Sequence, residues 1–181
     1  SAMRGPGSLK HNRRAFTAEN VDAERTRYNV VYKDEPIKQV YHELFDDALE
    51  RYNSKQKRKD RCISDYYEHL RTGKQEKVFH ELIVQIGNKD NTGVTTEDGQ
   101  WAATILDEYM QDFEKRNPTL RVFGAFLHMD EATPHLHIDF IPYVSGWKGK
   151  GMDTKVSLKQ ALKALGFAGG TKKESELNQW I

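Results

Sequence analysis

Three of the seven histidines in this chain fall within ten residues, as His128, His135 and His137, and Asp130 and Glu131 lie between them. Imidazole is a neutral, borderline-soft ligand, and three rings converging on one point leave coordination positions open for oxygen. That donor set suits a catalytic divalent cation better than a structural one, which would be closed by four protein ligands. A lone histidine usually packs or hydrates; three at this spacing with two nearby carboxylates point to a metal.

Such convergence needs a scaffold. Leu120, Val122, Phe123 and Phe126 precede the cluster, and Ile138, Phe140 and Ile141 follow it, with Ala132, Thr133 and Pro134 as turn residues. The pattern reads as two strands joined in a hairpin. Side chains alternate along a strand, so His135 and His137 share one face while Leu136 and Ile138 point into the opposite layer. The hairpin folds His128 back beside the pair.

Elsewhere, residues 27–32 read as a first strand, and Pro36 opens a helix with an apolar stripe of Ile37, Val40, Tyr41, Leu44, Ala48, Leu49 and Tyr52. A shorter helix is predicted over residues 63–70, carrying the packing residue Cys62 at its start. Residues 78–86 form a continuous β-branched run typical of a central strand, with His80 in the core. The next helix is predicted to carry Trp101, Ile105, Tyr109 and Phe113 four apart on one face, and Asn117-Pro118 ends it. Leu158, Ala161, Leu162 and Leu165 predict a short helix stopped at Gly166, with another beginning from Thr171. The order of elements implies an α+β fold, a mostly antiparallel central sheet with helices packed on it.

The chain has 181 residues, enough for one domain with a proper core and short for two. The first three residues read as a cloning remnant without structure. Trp180-Ile181 ends in what reads as mid-helix, so the 1–181 domain is expected to be the N-terminal part of a longer protein. No run approaches membrane-spanning length and no secretory pattern opens the chain. One cysteine excludes an intrachain disulfide framework and suits a reducing cytoplasm. The net charge is only +1, but its distribution is polarised. Lys10, Arg13 and Arg14 cluster near the start, residues 55–61 form a second basic block, and Lys148, Lys150, Lys155 and Lys159 a third. This layout suits a phosphate backbone lying across one side, with Trp147 available to stack on a base.

A cation held by three imidazoles can polarise a phosphoryl group or activate water. Phosphodiester chemistry also needs a nucleophile and positive charge near the transferred group. Water is one candidate nucleophile. His11 is another, because Lys10, Arg13 and Arg14 surround it and a near-normal imidazole is largely neutral at pH 7.

The stretch from His128 to His137 resembles the third motif of MobV-type (Mob/Pre) plasmid mobilisation relaxases, and His135-Leu136-His137 is the histidine–hydrophobe–histidine signature of HUH endonucleases. Residues 10–14 followed by residues 21–29 resemble the first motif. The resemblance implies a relaxase that nicks one strand at an origin of transfer, stays linked to the 5′ phosphate and later rejoins the ends. It assigns the attack to His11 and the metal to His128, His135 and His137, with manganese ahead of magnesium. Glu131 would orient His11 or complete the shell, and Arg14 and Arg25 would grip phosphate. Lys10, Arg13, Lys148 and Lys150 are the further DNA-binding candidates. Implied partners are single-stranded origin DNA in the bacterial cytoplasm and, through regions outside this chain, transfer-machinery proteins. A metallohydrolase using activated water and a non-catalytic origin-binding regulator are the competing readings.

Overall fold

The computed structural model describes residues 1–171 and 174–181. Along the chain run β1 (Ala2–Arg4), α1 (Leu9–Asn12), β2 (Val30–Asp34), α2 (Ile37–Ser54), α3 (Tyr66–Thr72), β3 (His80–Gln85), α4 (Glu97–Gln111), α5 (Phe113–Arg116), β4 (Leu120–His128), β5 (His135–Val144), β6 (Lys155–Val156), α6 (Leu158–Ala164) and α7 (Glu176–Trp180). The sheet order is β1-β3-β5-β4-β2, with β6 on the far end of β5. β1–β3, β3–β5, β2–β4 and β5–β6 all pair antiparallel. This is the α+β architecture read from the sequence. Among the described residues, no helix is long and apolar enough to cross a membrane.

The chain divides into two compact units. The first comprises residues 1–34, 80–118 and 122–140 and contains β1, α1, β2, β3, α4, α5 and most of the hairpin. Register determines which side chains meet there. Glu81, Ile83 and Gln85 of β3 lie opposite Asp139, His137 and His135 of β5, and directly opposed residues share a face. Met3 of β1 lies opposite Ile83 and joins that face. The other face carries Leu82, Leu136, Ile138 and Phe140, all buried. One face of the sheet therefore carries the chemistry-bearing side chains alongside Met3 and Ile83, and the other carries apolar core residues.

α4 covers the unit with Gly99, Ala102, Leu106 and Met110, not with the expected aromatic stripe. Trp101 is 64% exposed and Ile105 49%, while Phe113 is fully buried at the start of α5. The reason is steric. A side chain at Gly99 would lie 2.0 Å from the Gly93 carbonyl oxygen, so the helix docks through its small residues. Thr96 caps it, accepting from the Gly99 N–H at 3.0 Å. The expected first strand starts later, at Val30, because Thr26–Tyr28 forms a 3₁₀ turn. A bulge between Val31 and Lys33 in β2 frees Tyr32, whose hydroxyl donates to Asp107 at 2.6 Å. Residues 2–4 form edge strand β1 on β3, so Ala2 and Met3, expected to lack structure, have it. His80 is half-buried, with its ring stacked on Phe140.

The second unit comprises residues 35–79, 119–121 and 141–181. α2 buries Val40, Tyr41, Phe45 and Ala48, close to the stripe read from the sequence. Tyr41 donates to the Val78 carbonyl at 2.5 Å, and Tyr66 of α3 accepts from the Val156 N–H at 3.1 Å. Cys62 follows a 3₁₀ turn at Lys59–Arg61 and is exposed, so it is not the packing residue that was expected. α6 ends before Gly166, whose φ of 97° suits the lack of a side chain. α7 falls where a last helix was expected, although residues 172–173 lie outside the described set.

Candidate metal and nucleophile site

The hairpin of β4 and β5 brings His128, His135 and His137 together within the first unit, with ring centroids 4.6 to 5.3 Å apart. Each ring is tied by one nitrogen to an outer acceptor. His128 Nε2 is 3.0 Å from the Asn12 carbonyl, His135 Nδ1 is 2.8 Å from the Thr133 carbonyl, and His137 Nδ1 is 2.6 Å from Glu81 Oε1. Carbonyl and carboxylate oxygens only accept, so these bonds place the protons outward and the lone pairs inward. Among the described residues, buried His128 Nδ1 and His137 Nε2 have no hydrogen-bond partner. Buried nitrogens without a partner call for one, and a cation is a partner that imidazole nitrogens can take. Burial, reinforced by the neighbouring His137, lowers the His128 pKa to about 3 and lowers that of His135. Neutral rings are the form a metal takes.

Glu131 closes the cluster from the turn. Its Oε1 lies 4.0 Å from His128 Nδ1 and 3.7 Å from His135 Nε2. His128, Glu131 and His135 form one group able to hold an ion; His11, His128 and His137 form an overlapping one. Nitrogen donors with one carboxylate fit a first-row divalent cation.

α1 presents His11 at the edge of this cluster, its ring centroid 5.6 Å from those of both His128 and His137. His11 Nε2 lies 3.3 Å from Glu131 Oε1 and 3.2 Å from Arg14 Nη1. A guanidinium can only donate and a carboxylate can only accept, so Nε2 either accepts from Arg14 or donates to Glu131 according to the ring's tautomer. Burial, then the Arg14 charge, lower the His11 pKa from 6.5 against the opposing pull of Glu131. That direction favours the neutral ring.

Arg14 holds the arrangement together. It donates to Asp130 Oδ1 at 2.5 Å, Asp130 Oδ2 at 2.9 Å and Glu131 Oε1 at 2.8 Å. Its φ of 52° is the left-handed conformation that usually falls to glycine, a strain of roughly 1–3 kcal/mol that these bonds offset. Asp130 is fully buried and also accepts from Thr26 and Asn29. Despite burial, these donors hold its carboxyl well below the usual range.

Three participants escaped the sequence reading. Asn12, adjoining His11, donates from Nδ2 to Glu81 Oε1 at 2.8 Å and to Asp139 Oδ2 at 3.0 Å. Glu81 accepts in addition from the Gly7 N–H at 2.6 Å, and a side chain at Gly5 would collide with it at 2.1 Å. Burial alone would raise the Glu81 pKa, but the bonds from His137, Gly7 and Asn12 outweigh it and lower the value. Asp139 lacks such support. Burial, with Glu81 adding to it and Asn12 opposing, pushes its carboxyl up to about 7. An acid inside apolar β3 and another in β5 were the visible signals; Asn12 carried none.

The remaining sequence-derived residues are spread more widely. Among the described residues, Lys10 is exposed without an ion pair, and Arg13 pairs with Asp34 at 2.7 Å. Arg25 donates to the Met129 and Val94 carbonyls and lies over the Tyr28 ring, bracing the turn before the acidic pair. Lys148 and Lys150 are exposed residues of the second unit. There Lys155 sits 4.3 Å over the ring of Trp147, which is partly covered. Beside the histidines an open cleft of about 600 Å³ is bordered by His11, Glu131, His135 and His137.

A family model described as "Plasmid recombination enzyme" (Mob_Pre) matches residues 10–166. Comparison with curated proteins gives no match. Among solved structures, the chain is similar to a MobM relaxase domain (MOBV; Mob_Pre) bound to plasmid pMV158 oriT DNA of 23 nucleotides, Mn-bound, at pH 6.5. That likeness has a TM-score of 0.50 at 20% identity and covers 88% of this chain and 73% of the other. A second structure of that domain, with 22 nucleotides at pH 4.6, gives a TM-score of 0.48 at 20% identity over 89% and 75%. At this identity the structural likeness speaks to the fold, and the family rests on the sequence match across residues 10–166. The chain belongs to the Mob_Pre family of plasmid recombination enzymes, the MobV-type relaxases.

Proposed function

We propose that this relaxase nicks one strand of origin-of-transfer DNA by transesterification, with His11 as the nucleophile and His128, His135 and His137 holding a divalent metal. The observation that carries this reading is the His11 ring 5.6 Å from two histidines, each with a buried nitrogen that has no hydrogen-bond partner among the described residues. A divalent cation there would polarise a phosphoryl oxygen and offset the charge that builds on it. Manganese is preferred over magnesium because the donors are imidazoles and because the related MobM domain carries manganese.

In this mechanism the His11 lone pair attacks phosphorus, a nitrogen–phosphorus bond forms, and the bond to the 3′ oxygen breaks. The departing oxygen takes up a proton from solvent and becomes the 3′ hydroxyl. Because one bond replaces another, the reverse attack rejoins the strand without an external energy source. Glu131 restrains His11 and the acidic side of the cluster, and Arg14 keeps positive charge beside the transferred group. Lys10, Arg13, Arg25, Lys148 and Lys150 are proposed to contact the phosphate backbone.

The test is to mix the protein with an oligonucleotide carrying the origin of its own plasmid and Mn2+. A protein–DNA adduct is expected, labile in acid as a phosphoramidate is, and located on His11 by mass spectrometry of the attached peptide. His11→Ala should form none. Cleavage without an adduct would favour activated water, and an adduct surviving in His11→Ala would move the nucleophile elsewhere.

A further inference from the structure

The cleft beside His11 is lined by apolar as well as polar side chains. Met3 and Ile83, opposed in the β1–β3 register, line it together with Phe16 and Ala18, and Asn20 and Gln85 border it. Its volume of about 600 Å³ falls in the range of pockets that hold small organic ligands, about 300–1,000 Å³. Phe16 is 51% exposed and Met3 50%, so the fold leaves an aromatic and a thioether in water beside its most reactive group. The Phe16 ring centroid lies 6.5 Å from that of His11, tilted by 56°.

We propose that this cleft is a nucleobase pocket, in which the base of a nucleotide flanking the scissile phosphate leaves its stack and lies against Phe16. The proposal rests on the strand-transfer reading above and says where the substrate goes next to the reacting atom. A base is joined to its phosphate through a single sugar, so a phosphate placed at His11 must deliver a base to the immediate surroundings. Those surroundings hold an exposed aromatic ring with apolar side chains near it, the kind of surface on which unstacked bases bind.

The border chemistry fits a base better than an aliphatic ligand. Asn20 gives one amide N–H to Glu131 at 2.7 Å, and Gln85 gives one to the Gly87 carbonyl at 3.1 Å. Each keeps a second N–H and a carbonyl oxygen, which suit the acceptors and donors along a base edge. Lys10, unpaired among the described residues, supplies a charge for the adjoining phosphate.

The probes are fluorescent oligo(dT) and an oligonucleotide of the same length whose residues are all abasic, titrated at low ionic strength against the whole chain. The wild type should prefer oligo(dT). Phe16→Ala should weaken oligo(dT) binding by roughly 5- to 150-fold, the span of base–aromatic stacking, leave abasic binding unchanged, and lose that share of the preference. Phe16→Trp should restore it. In addition, 5-iodouracil in the strand should cross-link to the peptide containing Phe16. If Phe16→Ala weakens both oligonucleotides equally, the ring only shelters His11 and the pocket is refuted. No change with either one refutes it as well, while the DNA reading stands. If wild type binds neither oligonucleotide, the strand-transfer reading falls with it.

Discussion

Replacing Glu81 by glutamine tests whether the buried carboxylate holds the metal ligands in place. Glu81 serves three donors, with Oε1 taking His137 Nδ1 at 2.6 Å and Asn12 Nδ2 at 2.8 Å and Oε2 taking the Gly7 N–H at 2.6 Å. Glutamine keeps the shape but has one oxygen and one NH2, so at least one donor must face another donor. The favoured orientation keeps oxygen toward His137 and Asn12 and strands the Gly7 N–H. An unsatisfied buried donor costs about 1–3 kcal/mol, and the remaining bonds weaken once the charge is gone. Stability in chelator should fall by about that amount in a denaturant melt. The larger effect should be on the metal, because a neutral acceptor orients His137 less firmly and makes its inner nitrogen less basic. Loss of an outer partner of this kind typically costs about 10–100-fold in affinity. Titration calorimetry with Mn2+ reads this directly. A variant that folds and binds Mn2+ as tightly as wild type would refute the reasoning.

Three further outcomes are expected. Asp139 has a folded pKa of about 7, raised above its unfolded value, so its contribution is full below about 3.9 and is lost as pH rises through 7. In chelator, Asp139→Asn should therefore gain stability over wild type at pH 8, by an amount on the order of a few kcal/mol, and lose that advantage near pH 4; parallel melting profiles for the two proteins would contradict this. Leu106→Ala should cost about 2–5 kcal/mol while Trp101→Ser stays within about 0.5 kcal/mol, so equal effects in denaturant unfolding would overturn the assigned face of α4. Lys10→Ala should reduce the salt slope of single-strand binding by about 0.7 if it contacts one phosphate, which titrations at several salt concentrations will show.

What the sequence discloses is what is local. His128, His135 and His137 lie within one hairpin, so strand alternation alone puts two of them on one face, and a tight turn returns the third. α2 is equally legible because its stripe has no competitor. α4 offers two neighbouring stripes, and the bulkier one misleads: Gly99 and Ala102 pack more closely than Trp101 and Ile105 can, a preference set by the Gly93 backbone and not by hydrophobicity. The partners Asn12, Glu81 and Asp139 stand 69 and 127 residues apart along the chain, and only the β3–β5 register shows that Glu81 faces Asp139. Arg14 is visible as a charge, but its left-handed backbone and its grip on Asp130 emerge only in three dimensions.

The alternation of β5 also restricts how this stretch can change over evolutionary time. Leu136 and Ile138 can drift among greasy residues of similar bulk, since their task is volume. Gaining or deleting one codon between Pro134 and Asp139 would swap the two sides of the ribbon from that point on, sending imidazoles into oil and leucine into water. Lengths here can vary only by even steps, and even those would carry the ligands away from His128.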